Sequence, residues 1–345
     1  MVGLTHDRRT QKTNVTKQYP WKITKCGVSM KIAITGGTGF VGMRLIETLS
    51  KIQSLEINAL SRKGRNSDSP NVDWYLGDLN SHESLRAFLD GCDIVCNCAG
   101  EITEPKNYHA NNVRGVESLY NASVDAGAQL FIQLSSAGIY DELVCGEMNE
   151  ESEKSACNDY ELSKIDAENI LFKRNEIKTI ILRPTTVYGV DMPNDSLRSL
   201  LSAVRRKQFF FIGSKNAIST YISVNNVISA IVGLIDQKDK ILEGLKECDA
   251  YNLSDDMCYF DFLDLAAREL KVDLPVMRIP LFIILGMLWL NDRTFGVTLP
   301  LTVEKAKILG RMSTFSSQKF MDSFSWKPTE PHSKTIKDCI NHWFE

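Results

Sequence analysis

The sequence of 345 residues predicts an α/β fold, built around a doubly wound parallel sheet with a smaller C-terminal α/β domain. Two observations lead to this prediction. Short β-rich runs alternate with helical patterns from Met30 to about Tyr188, and a glycine-rich turn joins the first strand to the first helix. Alternation of this kind is typical of right-handed βαβ units, in which helices cover both faces of a parallel sheet.

The predicted strands are short runs rich in β-branched and aromatic residues. They are KIAIT, LEINAL, VDWYL, DIVCNCA, LFIQLSS and KTIILRP. Helical patterns lie between them near residues 40–51, 81–90, 108–126 and 157–175. Beyond Tyr188 the alternation loosens, and a helix and a strand within about 219–255 are expected to return to the sheet.

The stretch KIAITGGTGFVGMRLIETLS begins as a strand, turns at glycines and continues as a helix. Gly36 permits the tight turn, Gly39 lets backbone N–H groups approach a pyrophosphate, and Gly42 lets the helix pack closely on the sheet. The helix N-terminus adds a favourable dipole for the anion. The turn therefore predicts a dinucleotide-binding sheet of the Rossmann type. The residues expected to bind the cofactor here are Gly36, Thr38, Gly39, Phe40, Val41 and Gly42.

The end of the second predicted strand, INALSRKGR, indicates which dinucleotide is bound. An Asp or Glu commonly binds the ribose hydroxyls of NAD at this position. Here Ser61 and Arg62 occupy it, and Lys63 and Arg65 follow. A carboxylate would repel the 2′-phosphate of NADP, whereas an arginine can pair with it in bidentate fashion. The sequence therefore favours NADP(H) over NAD(H), and the alternative is a solvated basic loop.

The chain is predicted to divide into three parts. Residues 30–190, with a return segment at about 219–255, form the dinucleotide-binding domain. Residues 191–218 and 256–345 form the smaller, substrate-binding domain. Residues 1–29 are polar, lack periodicity and contain no apolar run of the kind that marks a signal peptide. They are predicted to be a disordered extension, and the alternative is an upstream start added to a protein that could begin at Met30.

The longest apolar run in the smaller domain extends from Ile279 to Leu290. It has about 12 residues, whereas a membrane-spanning helix needs about 20. We therefore expect no membrane span. The run is predicted to be a buried helix, with a shallow contact to a membrane surface as the lesser alternative.

Composition and charge exclude several classes of protein. Hydrophobic residues make up 43% and charged residues 24%, which is ordinary for a globular enzyme. A net charge of −3 gives no electrostatic footprint for nucleic acid. The nine cysteines lack paired zinc-ligand spacing, so no metal is expected. Cys96 and Cys98 lie in an apolar predicted strand as inert thiols, which favours a reducing, cytoplasmic location.

A tyrosine and a lysine stand four residues apart in NDYELSKIDAENI, residues 158–170. In a helix, Tyr160 and Lys164 lie on one face, one turn apart. An isolated pair of this kind is ordinarily a partly exposed tyrosine beside a solvated lysine. The pattern also predicts that three apolar side chains face a core and three acidic ones face water: Leu162, Ile165 and Ile170, and Glu161, Asp166 and Glu168.

Further motifs follow the glycine turn in a characteristic order. They are GDL at 77–79, NCAG at 97–100, NNVRG at 111–115, LSSAGIY at 134–140, YELSK at 160–164, RPTTVYG at 183–189, YISVNNV at 221–227 and FSWKP near the C-terminus. Together with TGGTGFVG, they resemble the extended short-chain dehydrogenase/reductase family, the NAD(P)-dependent epimerase/dehydratase group. The resemblance runs from Met30 nearly to the C-terminus and implies a nicotinamide-dependent enzyme.

The resemblance also implies roles for individual residues. Tyr160 matches the catalytic acid/base, Lys164 its partner, and Ser136 the hydroxyl that orients the substrate carbonyl. Asn112 matches a supporting active-site position. The implied cofactor positions are Asp78 and Leu79 by the adenine, Ala99 and Gly100 beneath the cofactor, Pro184 near the nicotinamide, and Tyr160 and Lys164 themselves.

This chemistry would explain the pairing of Tyr160 with Lys164. A free tyrosine has a pKa near ~10, too high for ready proton exchange at neutral pH. A lysine one turn away and a cationic nicotinamide would both favour the phenolate, so the pKa of Tyr160 is expected to be lowered. During reduction Tyr160 would give a proton to the carbonyl oxygen as hydride arrives on carbon, and Ser136 would steady the developing alkoxide.

Two departures from the family bear on the substrate. Sugar-nucleotide epimerases of the family often carry an arginine before the YISV strand to bind the substrate diphosphate, where this chain has Ser219 and Thr220. Where the next motif of the family usually has an acidic pair, this chain has Asn225 and Asn226. The candidates to replace the missing charge are Lys215, Arg198 and Arg205. The alternative for each is that it is an exposed surface residue without a role in substrate binding.

Three classes of function stay open at this point. The first is an NADPH-dependent ketoreductase acting on a nucleotide-linked deoxysugar in polysaccharide synthesis, and NADP preference favours it. The second is an epimerase or dehydratase that retains its cofactor. The third is a non-catalytic NADP(H)-binding subunit, against which an intact Ser136, Tyr160 and Lys164 argue. A steroid or lipid carbonyl is a lesser substrate option, and a homodimer is left open.

Overall fold

A parallel sheet of seven strands forms the centre of the computed structural model. The structure describes residues 29–67, 69–140, 146–214, 217–274, 277–294, 303, 306 and 312–344. Residues 1–28 of the predicted extension, and Lys215, lie outside the described residues.

The strands and helices are numbered in chain order. The strands are β1 Met30–Thr35, β2 Leu55–Ser61, β3 Val72–Leu76, β4 Ile94–Asn97, β5 Leu130–Leu134, β6 Glu147–Met148, β7 Lys178–Pro184, β8 Thr186–Tyr188, β9 Phe211–Ile212, β10 Ile218–Ser219, β11 Tyr221–Ser223, β12 Cys248–Leu253, β13 Met257–Cys258, β14 Arg278–Ile279 and β15 Thr314–Phe315. The α-helices are α1 Phe40–Leu49, α2 His82–Leu89, α3 Gly115–Asp125, α4 Asp159–Leu171, α5 Ser196–Arg205, α6 Val224–Asp236, α7 Lys238–Gly244, α8 Tyr259–Glu269, α9 Leu281–Thr294, α10 Gln318–Phe324 and α11 His332–Phe344. Short 3₁₀ turns span Pro105–Asn107 and Ala137–Ile139, and a π-helical turn spans His109–Arg114.

The strand order of the main sheet is β3-β2-β1-β4-β5-β7-β12, and every pairing is parallel. Ile32 of β1 lies opposite Ile57 on one side and Ile94 on the other. The order reverses between β1 and β4, and the crevice outside the carboxyl ends of such strands is where open α/β sheets bind ligands. The predicted doubly wound fold is confirmed.

Helices cover both faces of the sheet with apolar side chains. On one face α1 and α6 pack through residues such as Leu45 and Ile231, and on the other α2 and α3 pack through Phe88 and Leu119. All four side chains are buried. The burial of each of these side chains stabilises the fold by roughly 1.5–3 kcal/mol. This packing holds in place the strands that carry the crevice.

The smaller unit has a core of its own. Leu201 of α5, Phe262 of α8 and Ile336 of α11 meet in one buried cluster. Helix α9 lies on a second, much smaller cluster with Ile284 and Leu288.

The prediction of a buried helix at Ile279–Leu290 is wrong in one respect. The helix forms as α9, but Phe282 is 74% exposed, Met287 61% and Trp289 59%. The physical reason is the small size of the cluster beneath α9, which buries only Ile284 and Leu288 of the helix. Among the described residues, no helix combines the length and apolar character needed to cross a bilayer.

Candidate active site

The glycine turn between β1 and α1 brings backbone atoms very close together. Gly36 has a φ of +65°, and a Cβ there would lie 2.7 Å from the backbone carbonyl of Cys98. The N–H of Gly39 donates to the carbonyl of Gly36 at 2.8 Å, and Gly39 precedes the first residue of α1. A Cβ at Gly42 would collide with the Gly36 carbonyl. Gly42 therefore lets the first turn of α1 pack closely against the glycine turn.

A crevice opens from this turn at the carboxyl ends of the central strands. Its walls contain these predicted cofactor residues: Gly36, Thr38, Gly39, Ser61, Arg62, Asp78, Leu79, Ala99 and Gly100. They also contain residues that sequence reasoning missed: Thr35, Leu60, Gly77, Cys98, Glu101 and Asn111. The remaining predicted cofactor residues, which are not in these walls, are Phe40, Val41 and Gly42 at the start of α1, Pro184 at the end of β7, and Tyr160 and Lys164 of α4.

Buried polar side chains join the carboxyl ends of three adjacent strands. Thr35 donates to the amide oxygen of Asn97, whose amide nitrogen donates to Gln133 at 2.8 Å. The N–H of Ala99 donates to the Thr35 hydroxyl at 3.2 Å. This chain of hydrogen bonds holds the residues at the floor of the crevice in place. The signal in the sequence was an uncharged polar residue at or near the end of each of three apolar runs.

The corner at the end of β2 is basic. The Ser61 hydroxyl donates to the Lys63 carbonyl at 2.7 Å and accepts from the Lys63 N–H at 3.1 Å, so it stabilises the local turn. The guanidinium of Arg65 stacks on the ring of Trp74 at 5.1 Å. Arg62 is the basic residue in the crevice wall, and its side chain is exposed.

These features together fit a dinucleotide. A pyrophosphate is bound by three elements of this kind. They are a turn that leaves no room for a Cβ, a helix N-terminus directed at that turn, and a crevice where the strand order reverses. A Cβ at Gly100 would lie 3.3 Å from Lys164 Nζ, so the crevice extends directly to α4.

Ser136, Tyr160 and Lys164 come together beside the crevice. Ser136 follows β5 and begins a 3₁₀ turn, where its hydroxyl accepts from the Gly138 N–H at 3.1 Å. Ser136 and Tyr160 line one small cavity, and hydrogen bonding from the Ser136 hydroxyl lowers the pKa of the phenol. Lys164 Nζ lies 5.7 Å from the centre of the Tyr160 ring and donates to the Leu134 carbonyl at 3.3 Å.

Burial dominates the protonation of both α4 groups. Burial, with smaller contributions from nearby Tyr108 and Glu161, raises the pKa of Tyr160 to about 12, against the lowering effect of hydrogen bonding from Ser136. Burial lowers the pKa of Lys164 to about 8, against the opposing effect of Glu168. The residues of the chain therefore raise the pKa of Tyr160, because burial outweighs the lowering effect of Ser136. The predicted lowering by a cationic nicotinamide stays a prediction.

Helix α4 departs from the predicted faces at three of the six positions. Ile165 packs partly buried against a core cluster as predicted, and Asp166 and Ile170 are half-buried. Leu162 is 48% exposed, whereas Glu161 and Glu168 are buried. Glu168 accepts hydrogen bonds from Arg183 of β7 at 2.9 and 2.8 Å and from Lys154 at 2.8 Å. These ionic partners make burial of a carboxylate favourable and turn that face of α4 towards the sheet.

Asn112 joins the crevice to α4 from the π-helical turn. Its amide nitrogen donates to Ser163 and to the Glu101 carbonyl, both at 3.0 Å. Its amide oxygen accepts from the Glu101 N–H at 2.7 Å. π-Helical turns are frequent at functional sites. Here the turn places an amide where it holds a crevice loop against the helix that carries Tyr160.

A second cavity lies against Tyr160 and has a volume of about 170 Å³. Its walls are Ser136, Ala137, Gly138, Tyr160, Glu161, Thr185, Thr186, Thr220 and Phe315. The Thr185 hydroxyl is buried, and among the described residues it has no hydrogen-bond partner. The described part of the chain places no lysine or arginine in these walls.

The proposed replacements for the missing cation lie elsewhere or outside the described residues. Arg198 and Arg205 border a groove on α5 beside Trp343 and Phe344. Of the two residues at the departure, Thr220 lines the cavity next to Tyr160, and Ser219 is buried outside its walls.

The described cysteines carry no disulfide, and burial raises the pKa of the Cys98 thiol to about 12. Burial also raises the pKa of Cys96 well above its ordinary value. Both groups therefore stay protonated at neutral pH. Within the described ranges, no group of three or more His, Cys, Asp or Glu side chains is arranged to hold a metal ion.

The sequence from residue 32 to residue 253 matches the model of one family, the NAD dependent epimerase/dehydratase family. The chain belongs to this family. Together with the resemblance described above, this makes it an NAD(P)-dependent enzyme of the extended short-chain dehydrogenase/reductase type. The matched range contains the glycine turn, Ser136, Tyr160 and Lys164.

Characterised relatives fall into two groups. A 3beta-hydroxysteroid-dehydrogenase/decarboxylase of Arabidopsis thaliana is 26% identical over 89% of this chain and 61% of its own length. A sterol-4-alpha-carboxylate 3-dehydrogenase of Mus musculus is 24% identical over 90% of each chain. A UDP-glucose 4-epimerase of Vibrio cholerae is 30% identical, over 59% of this chain and 66% of its own. The chain thus spans less than two thirds of the Arabidopsis and Vibrio proteins.

Among solved structures, a UDP-glucuronic acid 4-epimerase of Bacillus cereus in complex with NAD superposes with a TM-score of 0.70. The superposition covers 91% of this chain and 98% of the other, at 16% identity. It shows that the two chains share a fold.

Proposed function

We propose that this enzyme interconverts a secondary hydroxyl and a keto group on a neutral, lipid-type substrate, with NADP(H) as the hydride carrier. The observation that carries the reaction class is that Tyr160 and Ser136 share the wall of the second cavity, with Lys164 Nζ 5.7 Å from the centre of the Tyr160 ring.

The bound dinucleotide supplies or accepts the hydride. In the reducing direction Tyr160, which burial keeps as a neutral phenol, gives its proton to the substrate oxygen. Ser136 donates a hydrogen bond to the same oxygen and steadies the charge that develops there. Lys164, positively charged below about pH 8, lies 5.7 Å from the centre of the Tyr160 ring and stabilises the phenolate that remains after the proton is given. In the oxidising direction the phenolate of Tyr160 takes the proton of the substrate hydroxyl.

The walls of the second cavity support a neutral substrate. They offer hydroxyls, two aromatic rings and the side chain of Glu161, and no described cation that would pair with a diphosphate. The unpaired hydroxyl of Thr185 could donate a hydrogen bond to a substrate carbonyl, or exchange one with a substrate hydroxyl. Two relatives named for steroids or sterols align over about nine tenths of this chain.

A second candidate is reduction or epimerisation of a nucleotide-linked sugar, which the sequence alone favoured. The Vibrio relative and the Bacillus structure, both named for 4-epimerases of UDP-linked sugars, favour it. It requires a diphosphate-binding cation in place of the arginine missing at Ser219–Thr220.

We infer the NADP preference from Arg62 in the crevice wall, with no carboxylate at the end of β2. A cytoplasmic location and a homodimer stay as predictions from the sequence. Domain limits at 190, 218 and 255 are likewise our proposal, supported by the return of β12 to the edge of the sheet beside β7.

The proposed function is tested with purified full-length protein, each of two cofactors being combined with each of two substrate panels. Oxidation of NADPH and of NADH is followed with a panel of 3-keto sterols and with a panel of keto-sugar nucleotides. We expect turnover with NADPH and a keto sterol, and its loss in Tyr160→Phe. Turnover confined to sugar nucleotides would overturn the lipid assignment, and none with either panel would overturn the reaction class.

A further inference from the structure

Helix α9 exposes an unusual number of large apolar side chains. Phe282, Ile283, Met287, Trp289 and Leu290 are 74%, 42%, 61%, 59% and 49% exposed, and we name these five residues the α9 face. A Cβ added at Gly286, within the same region, would meet no atom within 4 Å. Neither the reaction nor the core of the smaller unit uses this surface.

The α9 face is broad. Successive residues of an α-helix advance by about 100°, so the five side chains spread over about 160° of the helix surface. Ile284 and Leu288 lie on the opposite side and contact the small cluster beneath. Monomeric proteins rarely expose a contiguous apolar patch of this kind, and where they do it usually marks a contact site.

The distribution of charge indicates what covers the α9 face. From Leu281 to Asn291 the helix has no charged residue, and its only charges are Asp292 and Arg293 in the last turn. The guanidinium of Arg293 lies 5.2 Å from the centre of the Trp289 ring. A tryptophan paired with an arginine at the edge of an apolar surface suits the boundary between lipid headgroups and acyl chains.

A second protein is a poorer fit than a lipid surface. One partner helix buries a stripe of roughly 100°, which would leave part of the α9 face in water. A lipid surface conforms to the whole arc. The 14 residues of α9 span about 21 Å, less than the roughly 30 Å of a hydrocarbon core, so the helix can lie on a bilayer but cannot cross it.

We infer that the α9 face docks on a lipid bilayer, inserting its apolar side chains at the level of the headgroups while Arg293 pairs with lipid phosphates. This interaction surface is independent of the proposed reaction. It requires neither Tyr160 nor a bound dinucleotide.

The inference is tested by flotation of full-length protein with vesicles of phosphatidylcholine, with and without phosphatidylglycerol. The unmodified protein should float with both, and more with the anionic mixture. The double variant Phe282→Ser and Met287→Ser should bind about tenfold more weakly or worse, because two exposed apolar side chains no longer leave water. Arg293→Gln should remove only the gain from phosphatidylglycerol.

Two controls keep the result specific. Leu76→Ser removes a side chain that is 68% exposed on the edge strand β3, and should leave flotation unchanged. Tyr160→Phe should float like the unmodified protein, which separates this inference from the proposed reaction. If the double variant has a lowered melting temperature, Trp289→Ser replaces it.

Three results would overturn the inference. The first is absence of flotation, and the second is an equal loss in Leu76→Ser. The third is a dimer in analytical ultracentrifugation that the double variant dissociates, which would show that a second copy covers the α9 face.

Discussion

Glu168 and Arg183 form a fully buried, bidentate ion pair between α4 and β7. The carboxylate of Glu168 accepts from Arg183 Nε at 2.9 Å and from Nη2 at 2.8 Å. Ser135, the neighbour of Ser136, donates to the same carboxylate at 2.7 Å. The pair therefore holds the helix that carries Tyr160 and Lys164 in register with the strand end that carries Ser136.

Removal of one partner should leave the other as an uncompensated buried charge. We expect Glu168→Ala to lower the free energy of unfolding by about 3–5 kcal/mol in urea titrations. The matched control is Glu247→Ala, whose partner Lys178 belongs to the same strand β7 but whose carboxylate is mostly exposed. The control should leave stability nearly unchanged. Equal effects of the two substitutions would contradict the importance of the buried pair.

The same pair should make stability depend on pH. Burial raises the pKa of Glu168, but hydrogen bonds and charge from Arg183 and Lys154 outweigh it and hold the pKa below its ordinary 4.5. Because the folded-state pKa is lowered, this stabilisation is present above pH 4.5 and is lost as the pH falls through the folded-state value. The stability difference between the unmodified protein and Glu168→Gln should therefore shrink below pH 4.5. A difference that grows in acid would mean that the sign is wrong.

The buried acids of α4 show where prediction from sequence stops. Strand order, the glycine turn and the contact of Ser136 with Tyr160 follow from local patterns and from their order along the chain. The face of α4 depends on Arg183, which belongs to another strand, and the pattern of apolar residues alone placed Glu168 in water. The exposure of α9 has a similar origin, because an apolar run predicts a helix but carries no information on how much protein lies beneath it.

Lys164 should make cofactor affinity depend on pH. Its pKa is lowered to about 8 by burial, so it loses its charge as the pH rises through this value. We expect NADPH to bind more weakly above pH 8 than below it in fluorescence titrations. Lys164→Met should bind NADPH more weakly at every pH and show no inflection near pH 8. An inflection that persists in Lys164→Met would assign it to another group.

Arg62 should decide between the two nicotinamide cofactors. Loss of a charge-assisted contact to the 2′-phosphate should cost on the order of 1.5–3 kcal/mol of NADPH binding. Arg62→Asp should therefore reverse the preference towards NADH. Lys63→Asp changes the charge by the same amount one residue further on, outside the crevice wall, and should shift both affinities much less. Tighter binding of NADH by the unmodified protein would refute the NADP assignment.

The last prediction separates a proton donor from a merely structural phenol. Tyr160→Phe removes one oxygen and keeps the ring that packs edge-on against Tyr108 at 5.7 Å, so the melting temperature and NADPH binding should survive. Turnover should fall by about a hundredfold or more, the usual contribution of a positioned general acid. Ser136→Ala should lower turnover with little effect on NADPH affinity, because its hydroxyl faces the second cavity. Tyr108→Phe is the matched control, since it removes a neighbouring phenol whose hydroxyl donates to the Ile102 carbonyl, and it should keep most of the activity. Full turnover in Tyr160→Phe on a verified substrate would show that another group gives the proton.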